Sequence, residues 1–515
     1  MDRLVSRLQA RFSKLAVSQH AVVLPPEVWL QITPFLGASD LAPIALVSQQ
    51  LRWIAQSLLF RSFIFTMRKR FSEEAFARLK SKIEFYASPR IASIVESCTI
   101  IGGHSNSPDY VVAICEGLSR FPHLKDLSFD HVRMTISTIS GIARASRNRK
   151  LSLSLVSCIS DFRPVQNVVV HLEEFSIHND FHGLFPQDEL WLKCLDLAVL
   201  RVLDLVQPHS TRAFMRSHLQ LPALEVLDLH IAGLKGFTED QFISSLSCFP
   251  ALRALHLHPH WSTAGVWGAP AVLWPTWSRR FPPNVVPELN ALSCPSNLLP
   301  AFSRDREIAR LKVYDPFDMG EDEGYIKDLP SLLLEIGSHT IASFELDFVY
   351  PIDGLDAITE AFPALRSLRI VAYVPNYVLP RPDLETMITA IAGFALPPQV
   401  EVLHLTLRCT PLSPIPFWGA PGDDDRVGTA LHDLGHQWPS LRGINLSREV
   451  YNRDGQVEKV VMISWPGLSI NRTAKSRDPW ELDNITVAAD PGKVPHTAWC
   501  EATRMHGFRC PASVG

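Results

Sequence analysis

Five closely similar phrases recur along the chain: FPHLKDLSF at 121, LPALEVLDL at 221, FPALRALHL at 249, FPALRSLRI at 362 and WPSLRGINL at 438. Each is an aromatic residue or leucine followed by Pro-x-Leu-x-x-Leu-x-Leu, with Ile or Phe standing in for some of the later leucines. Looser copies are VESCTI at 95, LSLSL near 148, LEEFSI at 172, LRVLDL at 200, LNALSC at 289, IARLKV at 308, IASFEL at 341 and VEVLHL at 400. Thirteen units therefore run from Val95 to Leu441, about 29 residues apart on average. A unit this short cannot bury its apolar face alone. Repetition at this period forces neighbouring units to stack and share one continuous core.

The template says what each unit is. Its last two apolar positions alternate, as a short strand with one buried face requires. The proline ends the preceding helix and cannot belong to a central ladder. Between copies the pattern turns helical: in SEEAFARLKSKIEFYAS, residues 72 to 88, Ser72 is placed to cap, and Phe76, Leu79 and Ile83 share a face. Strand plus helix, repeated about a dozen times, predicts an α/β solenoid with a parallel sheet. It resembles a leucine-rich-repeat array at the long end of that family's period. The longest intervals imply insertions near 258–285, with Trp261, Trp267, Trp274 and Trp277, and near 410–428. Loops on a solenoid tend to share a face, so Trp261 and Trp267 are expected to face a partner. A small core of the loop's own is the other reading of these tryptophans.

Before the array lies LPPEVWLQITPFLGASDLAPIALVSQQLRWIAQSLLF, residues 24 to 60. Leu24-Pro25-Pro26-Glu27 reads as a helix start. Val28, Ile32, Phe35 and Leu36 then form one apolar stripe. Pro34 should shorten this helix, Gly37 should stop it, and Ser39-Asp40 should cap a second one whose first turn tolerates Pro43. Val47, Leu51, Ile54, Ala55 and Leu58 mark a third. About three helices in under 40 residues cannot cover this much apolar surface by themselves.

The pattern LPxEvwxxIxxfLxxxDLxxxalVSxxLrxxaxxlLFR resembles an F-box, the helical module that docks on the Skp-type adaptor of cullin ubiquitin ligases. Leu51 stands where many F-boxes have tryptophan, and Pro34 interrupts the first helix; both departures look like the fungal branch. The resemblance implies an adaptor-binding set of Leu24, Pro25, Val28, Ile32, Leu36, Leu41, Val47 and Leu51. It implies the substrate-recognition subunit of an SCF-type ligase, with a Skp-type adaptor, and through it a cullin scaffold and RING subunit, as partners. Such a subunit carries no catalytic residue. A scaffold using the adaptor for stability alone is the alternative, and an enzyme on a repeat scaffold stands behind both.

If the template leucines are buried, the residues between them line the open side of the sheet. Candidate target-facing residues are Asp126, Asp130, His178, Asp228, His230, His256, His258, Arg369 and His404, with Ser128, Glu174, Ser176 and Thr406 beside them. No GxSxG, HExxH, Walker A or GxGxxG pattern occurs. His256 and His258 in LHLHPH would project to one side of a strand, as zinc ligands could, but no third ligand or orienting group is evident nearby. No metal or other cofactor is therefore expected.

Composition narrows the remainder. Hydrophobic residues make up 46% and charged residues 20%, which is globular, and a net charge of −4 gives no electrostatic case for nucleic acid. No apolar run reaches the roughly 18 residues of a membrane helix. The 9 cysteines are scattered singly, without a CxxC pair, which fits a reducing compartment. The sequons at Asn445, Asn471 and Asn484 carry little weight in a chain read as cytoplasmic or nuclear. MDRLVSRLQARFSKLAVSQH has the Arg-rich amphipathic look of a mitochondrial transit peptide; a plain amphipathic helix is the favoured alternative. The expected organisation is a helix over 1–21, the F-box over 22–62, repeats over 63–465 and a cap or tail over 466–515.

Overall fold

A computed structural model describes residues 26–33, 36, 38–67, 72–102, 108–147, 149–160, 168–178, 188–205, 207–258, 277, 281–303, 306–314, 329–336, 340–349, 356–374, 393, 396–409, 438, 440–451 and 457–465. They fall into two compact units, one ending at Phe63 and the other beginning at Ile64. The expected terminal helix, the tail, the 410–428 insertion and most of the 258–285 insertion lie outside the described residues.

The first unit is three short helices, α1 (Pro26–Ile32), α2 (Ala38–Ile44) and α3 (Gln49–Leu59). Helix α1 stops short of Pro34, and Thr33 Oγ1 closes its last turn by donating to the Trp29 carbonyl at 2.7 Å. Helix α2 begins at Ala38, so Ser39 and Asp40 lie inside its first turn and do not precede it. Pro43 is consequently beyond the first turn. It has no N–H for the Ser39 carbonyl, and the helix ends at the next residue. Ser48 caps α3 through a 3.1 Å bond from Leu51 N to its Oγ. Leu41, Ala45 and Ala55 form the buried centre, with Leu36, Ile44, Leu58 and Leu59 packed around it.

The second unit is built on one fifteen-stranded sheet. Its strands are β1 (Ser62–Thr66), β2 (Ser97–Ile101), β3 (Asp126–Asp130), β5 (Ser152–Val156), β7 (Glu174–His178), β8 (Val202–Leu205), β9 (Val226–His230), β10 (Ala254–His258), β11 (Ala291–Pro295), β12 (Arg310–Tyr314), β13 (Ser343–Val349), β14 (Ser367–Val374), β15 (Val402–Cys409), β16 (Gly443–Tyr451) and β17 (Val457–Trp465). The short strands β4 (Arg133–Met134) and β6 (Ile159–Ser160) pair separately. Thirteen strands from β2 to β16 are parallel, and β17 closes the order antiparallel to β16. Neighbours in the sheet are neighbours in the chain, and each of the parallel strands begins at one of the template copies.

The prolines do more than end helices. In each strong copy the residue before proline accepts a bond from the template leucine three positions on: Leu124 N to Phe121 O at 3.3 Å, Leu224 N to Leu221 O at 3.2 Å, Leu252 N to Phe249 O at 3.2 Å, Leu365 N to Phe362 O at 3.1 Å and Leu441 N to Trp438 O at 3.0 Å. Proline thus occupies the second position of a β-turn, where its fixed φ is already correct. The residue ahead of it plugs the core: Phe121, Leu221, Phe249 and Phe362 are all buried. A further regularity follows each turn. One carbonyl, such as Glu225 O, receives two successive N–H groups of the next unit, here Arg253 at 2.8 Å and Ala254 at 2.9 Å.

Helix α4 (Glu73–Tyr86) has the predicted Ser72 cap, with Ala75 N to Ser72 Oγ at 3.1 Å, and buries Ile83. Trp277 belongs to the repeat core, not to a separate loop core. It stacks on Phe242 at 4.4 Å and donates its Nε1–H to the Phe237 carbonyl at 3.4 Å. Cys98, Cys115, Cys158, Cys194, Cys248 and Cys294 are free and buried. No helix among these residues is long and apolar enough to cross a membrane.

Candidate functional site

Each unit presents one feature that its own folding does not require. In the helical unit it is apolar surface left uncovered. Of the residues expected to dock, Leu24 and Pro25 lie outside the described residues, and Val28, Leu36 and Leu51 are half-buried. Leu41 is 5% exposed and holds the unit's own core, with the half-buried Leu36 packed on it, so Leu41 stabilises the helices and does not form an outer face. Ile32 at 39% and Val47 at 72% are exposed. Three neighbours that the sequence pattern did not single out are exposed too: Leu30 at 47%, Leu46 at 78% and Trp53 at 68%. Trp53 is invisible to a periodicity argument because it falls off the stripe of Leu51, Ile54 and Leu58.

In the sheet the feature is a row of polar side chains. The residue between the two template leucines is aligned across the parallel strands as Thr99, Ser128, Ser154, Ser176, Asp204, Asp228, His256, Ser293, Lys312, Glu345, Arg369, His404 and Asn445. Every position is polar. The flanking rows, such as Leu227, Leu255 and Leu292 or Leu229, Leu257 and Cys294, are buried on the other face. Hydroxyls dominate one end of the row, and ionisable groups gather from Asp204 to His404. Asp126, on a row nearer the strand starts, is exposed. Asp130 lies 2.6 Å from His131 Nδ1.

The first ionisable group centres on Asp228. His178 Nε2 is 3.0 Å from Asp204 Oδ2. On the next strands, His256 Nε2 is 3.9 Å and His258 Nε2 is 3.4 Å from Asp228 Oδ1. The two imidazoles lie parallel, 5.7 Å between centroids and 6° between planes. His258 Nδ1 meets Tyr314 Oη at 2.8 Å, and Ser293 Oγ donates to the same phenol oxygen at 2.9 Å. Burial opposes the Asp228 charge, but the surrounding imidazoles outweigh it and hold the carboxyl below the usual aspartate range. Burial holds His256 below the ordinary histidine value, against the pull of Asp228.

The second group centres on Lys312, which is bonded to Glu345 and lies 3.9 Å from Asp347 Oδ2. Burial disfavours its ammonium, yet Asp347 and Glu345 more than offset that, and its pKa stands above the ordinary lysine value. Arg369 Nε is 3.7 Å from Glu345 Oε1, and Arg369 Nη1 is buried without a hydrogen-bond partner. His404, aligned with Arg369, is pushed down to about 4 by burial and by that guanidinium.

Asp228, His256, Arg369 and His404 thus share the row, while His178 reaches it through Asp204 and His258 through Asp228. His230 is buried and unavailable to a partner. It is 6% exposed, and its Nδ1 accepts from Ala232 N at 3.1 Å, because the chain turns into a short 3-10 helix directly after β9. Trp261 and Trp267 lie outside the described residues. Asp204, Ser293, Lys312 and Glu345 were missed, although LRVLDL, LNALSC, IARLKV and IASFEL mark them at the same template position. Chemically, the row offers hydrogen-bond donors and acceptors at strand spacing, suited to an extended polar or charged partner surface. No protein-family model matches the chain, and no curated protein matches its sequence.

Proposed function

We propose that the chain is the substrate-recognition subunit of an SCF-type cullin ubiquitin ligase. On this reading the helical unit is an F-box that docks on a Skp-type adaptor, and the strand-and-helix repeats are a leucine-rich-repeat solenoid that holds the target. The reading is carried by the uncovered Ile32 and Val47, which occupy apolar positions of the F-box-like pattern in a unit that has already closed a core around Leu41. Apolar side chains left out of a small core are where a partner would cover them. The polar row supplies the second surface. Its mixed charges would give selectivity through complementary potential more than through buried area. The subunit performs no chemistry itself; it raises the effective concentration of a target lysine near the conjugating enzyme.

The test is affinity purification of the tagged full chain beside Ile32→Asp and Val47→Asp, read by mass spectrometry. Each substitution puts an unpaired charge into an apolar contact. Wild type is expected to recover the adaptor and a cullin, and the variants to lose both while keeping target proteins. Adaptor without cullin would turn the reading to a non-ligase scaffold. Normal adaptor recovery by both variants would mean that the docking face lies elsewhere.

A further inference from the structure

Asp228 Oδ1 is buried and has no hydrogen-bond partner, although two imidazole nitrogens face it. At 3.4 and 3.9 Å the contacts are long for a hydrogen bond, yet too short for a bridging water to fit between. The shorter one matches the edge of a ligand tetrahedron, since donors about 2.0–2.1 Å from a common zinc ion stand about 3.4 Å from one another, and the longer one is somewhat wider. The donor atoms of Asp228, His256 and His258 all lie within 4.8 Å of one another.

The surroundings favour the same use. An imidazole that ligates through Nε2 must carry its proton on Nδ1 and have an acceptor there. His258 Nδ1 has one in Tyr314 Oη, which Ser293 in turn anchors. Alternation along β10 puts both imidazoles on one side, and the parallel register places Asp228 directly beside His256. Lys312, on the strand beyond Ser293, is taken up by Glu345 and Asp347.

We infer that Asp228, His256 and His258 form a binding site for a divalent first-row transition metal ion of the zinc class, with Tyr314 orienting His258. Two imidazoles and one carboxylate select this class over calcium or magnesium, which require mostly oxygen donors. The ion clamps β9 to β10. Three protein donors leave at least one coordination position open on the polar face, where a carboxylate, imidazole or thiolate of a bound partner would fit. The inference stands independently of the ligase reading.

The test uses the full chain with any affinity tag removed. Zinc binding is measured by calorimetry and cobalt binding by visible absorption, for wild type, Asp228→Asn, His258→Gln, Tyr314→Phe and, as a control outside the cluster, the exposed His209→Gln. One high-affinity ion is expected in wild type and in His209→Gln. Tyr314→Phe should weaken binding by about 10- to 100-fold, and the two ligand variants by at least as much. Zinc should also protect His256 and His258 of the wild type from carbethoxylation, a readout that needs no variant to fold. Unchanged affinity in folded Asp228→Asn and His258→Gln, or no protection of the two histidines, overturns the inference.

Discussion

His404 shows how one position in the row acquires a property that its residue type does not specify. Burial beside Arg369 favours the neutral imidazole, so the folded chain resists protonation until about pH 4, whereas an unfolded histidine takes up its proton near 6.5. The unfolded state then binds more protons than the folded state between these values. Stability is untouched above about pH 6.5 and falls as pH drops toward 4. The loss from this one group is about 1–3 kcal/mol after allowing for solvent screening. His404→Gln should flatten the urea-midpoint profile across that window while leaving it unchanged at pH 8; an equally steep profile would show that Arg369 and burial do not act on His404 in this way. The sequence placed His404 between two buried leucines, but not beside Arg369. That neighbour comes from the adjoining strand, and only the register supplies it. The same holds for Asp228, one repeat before His256.

Among the elements, the repeats are held by features visible in the sequence and by one that is not. The proline turns, the buried Phe or Leu ahead of them and the Ser72 cap follow from local chemistry. So does the alternation of charge ahead of the strands, where Arg201 bridges Glu173 at 2.9 Å and Glu225 at 2.6 Å. The close approach of the helices Pro108–Gly117 and Ile136–Ser146 is different. A Cβ on Gly141 would lie 2.6 Å from Cys115 Cβ and 3.0 Å from the Cys115 backbone carbon. The glycine is therefore a spacing device between successive repeat helices, although within one helix it costs stability relative to alanine. Gly141→Ala should lower stability by about 1–3 kcal/mol, read from the urea midpoint, since overpacking outweighs the propensity gain. A stabilised variant would show that the two helices can separate freely. In the helical unit the element-scale lesson is opposite. Leu41 looked like docking surface in the pattern but was needed inside, because a three-helix unit has few other residues with which to build a core.

Across the whole molecule, pairing only between sequence neighbours makes the larger unit close to one-dimensional. Damage should therefore spread by proximity along the chain. Leu127 is 1% exposed in β3, and its truncation to alanine should cost about 2–5 kcal/mol locally. Hydrogen exchange read by mass spectrometry should quicken in β2, β3 and β5 and stay unchanged in β13 to β15. A uniform acceleration would show instead that the unit opens as a single cooperative block.

Repetition by itself determined the parallel sheet, its strand order and which leucines are inside, because a short strand with one apolar face has few other ways to bury it. Local chemistry likewise determined the turns, the Ser72 cap and the shortened first helix. Tertiary structure alone decided which of the alternating polar residues meet. Single repeats state only that a side chain points away from the leucines; how deeply it is buried and what stands next to it depend on strands one or more repeats away. That is why His230 proved buried, why Lys312, Glu345 and Arg369 form a charged cluster, and why Asp228 faces two histidines. Neighbours across a sheet are set by register, and register is a property of the assembled strands.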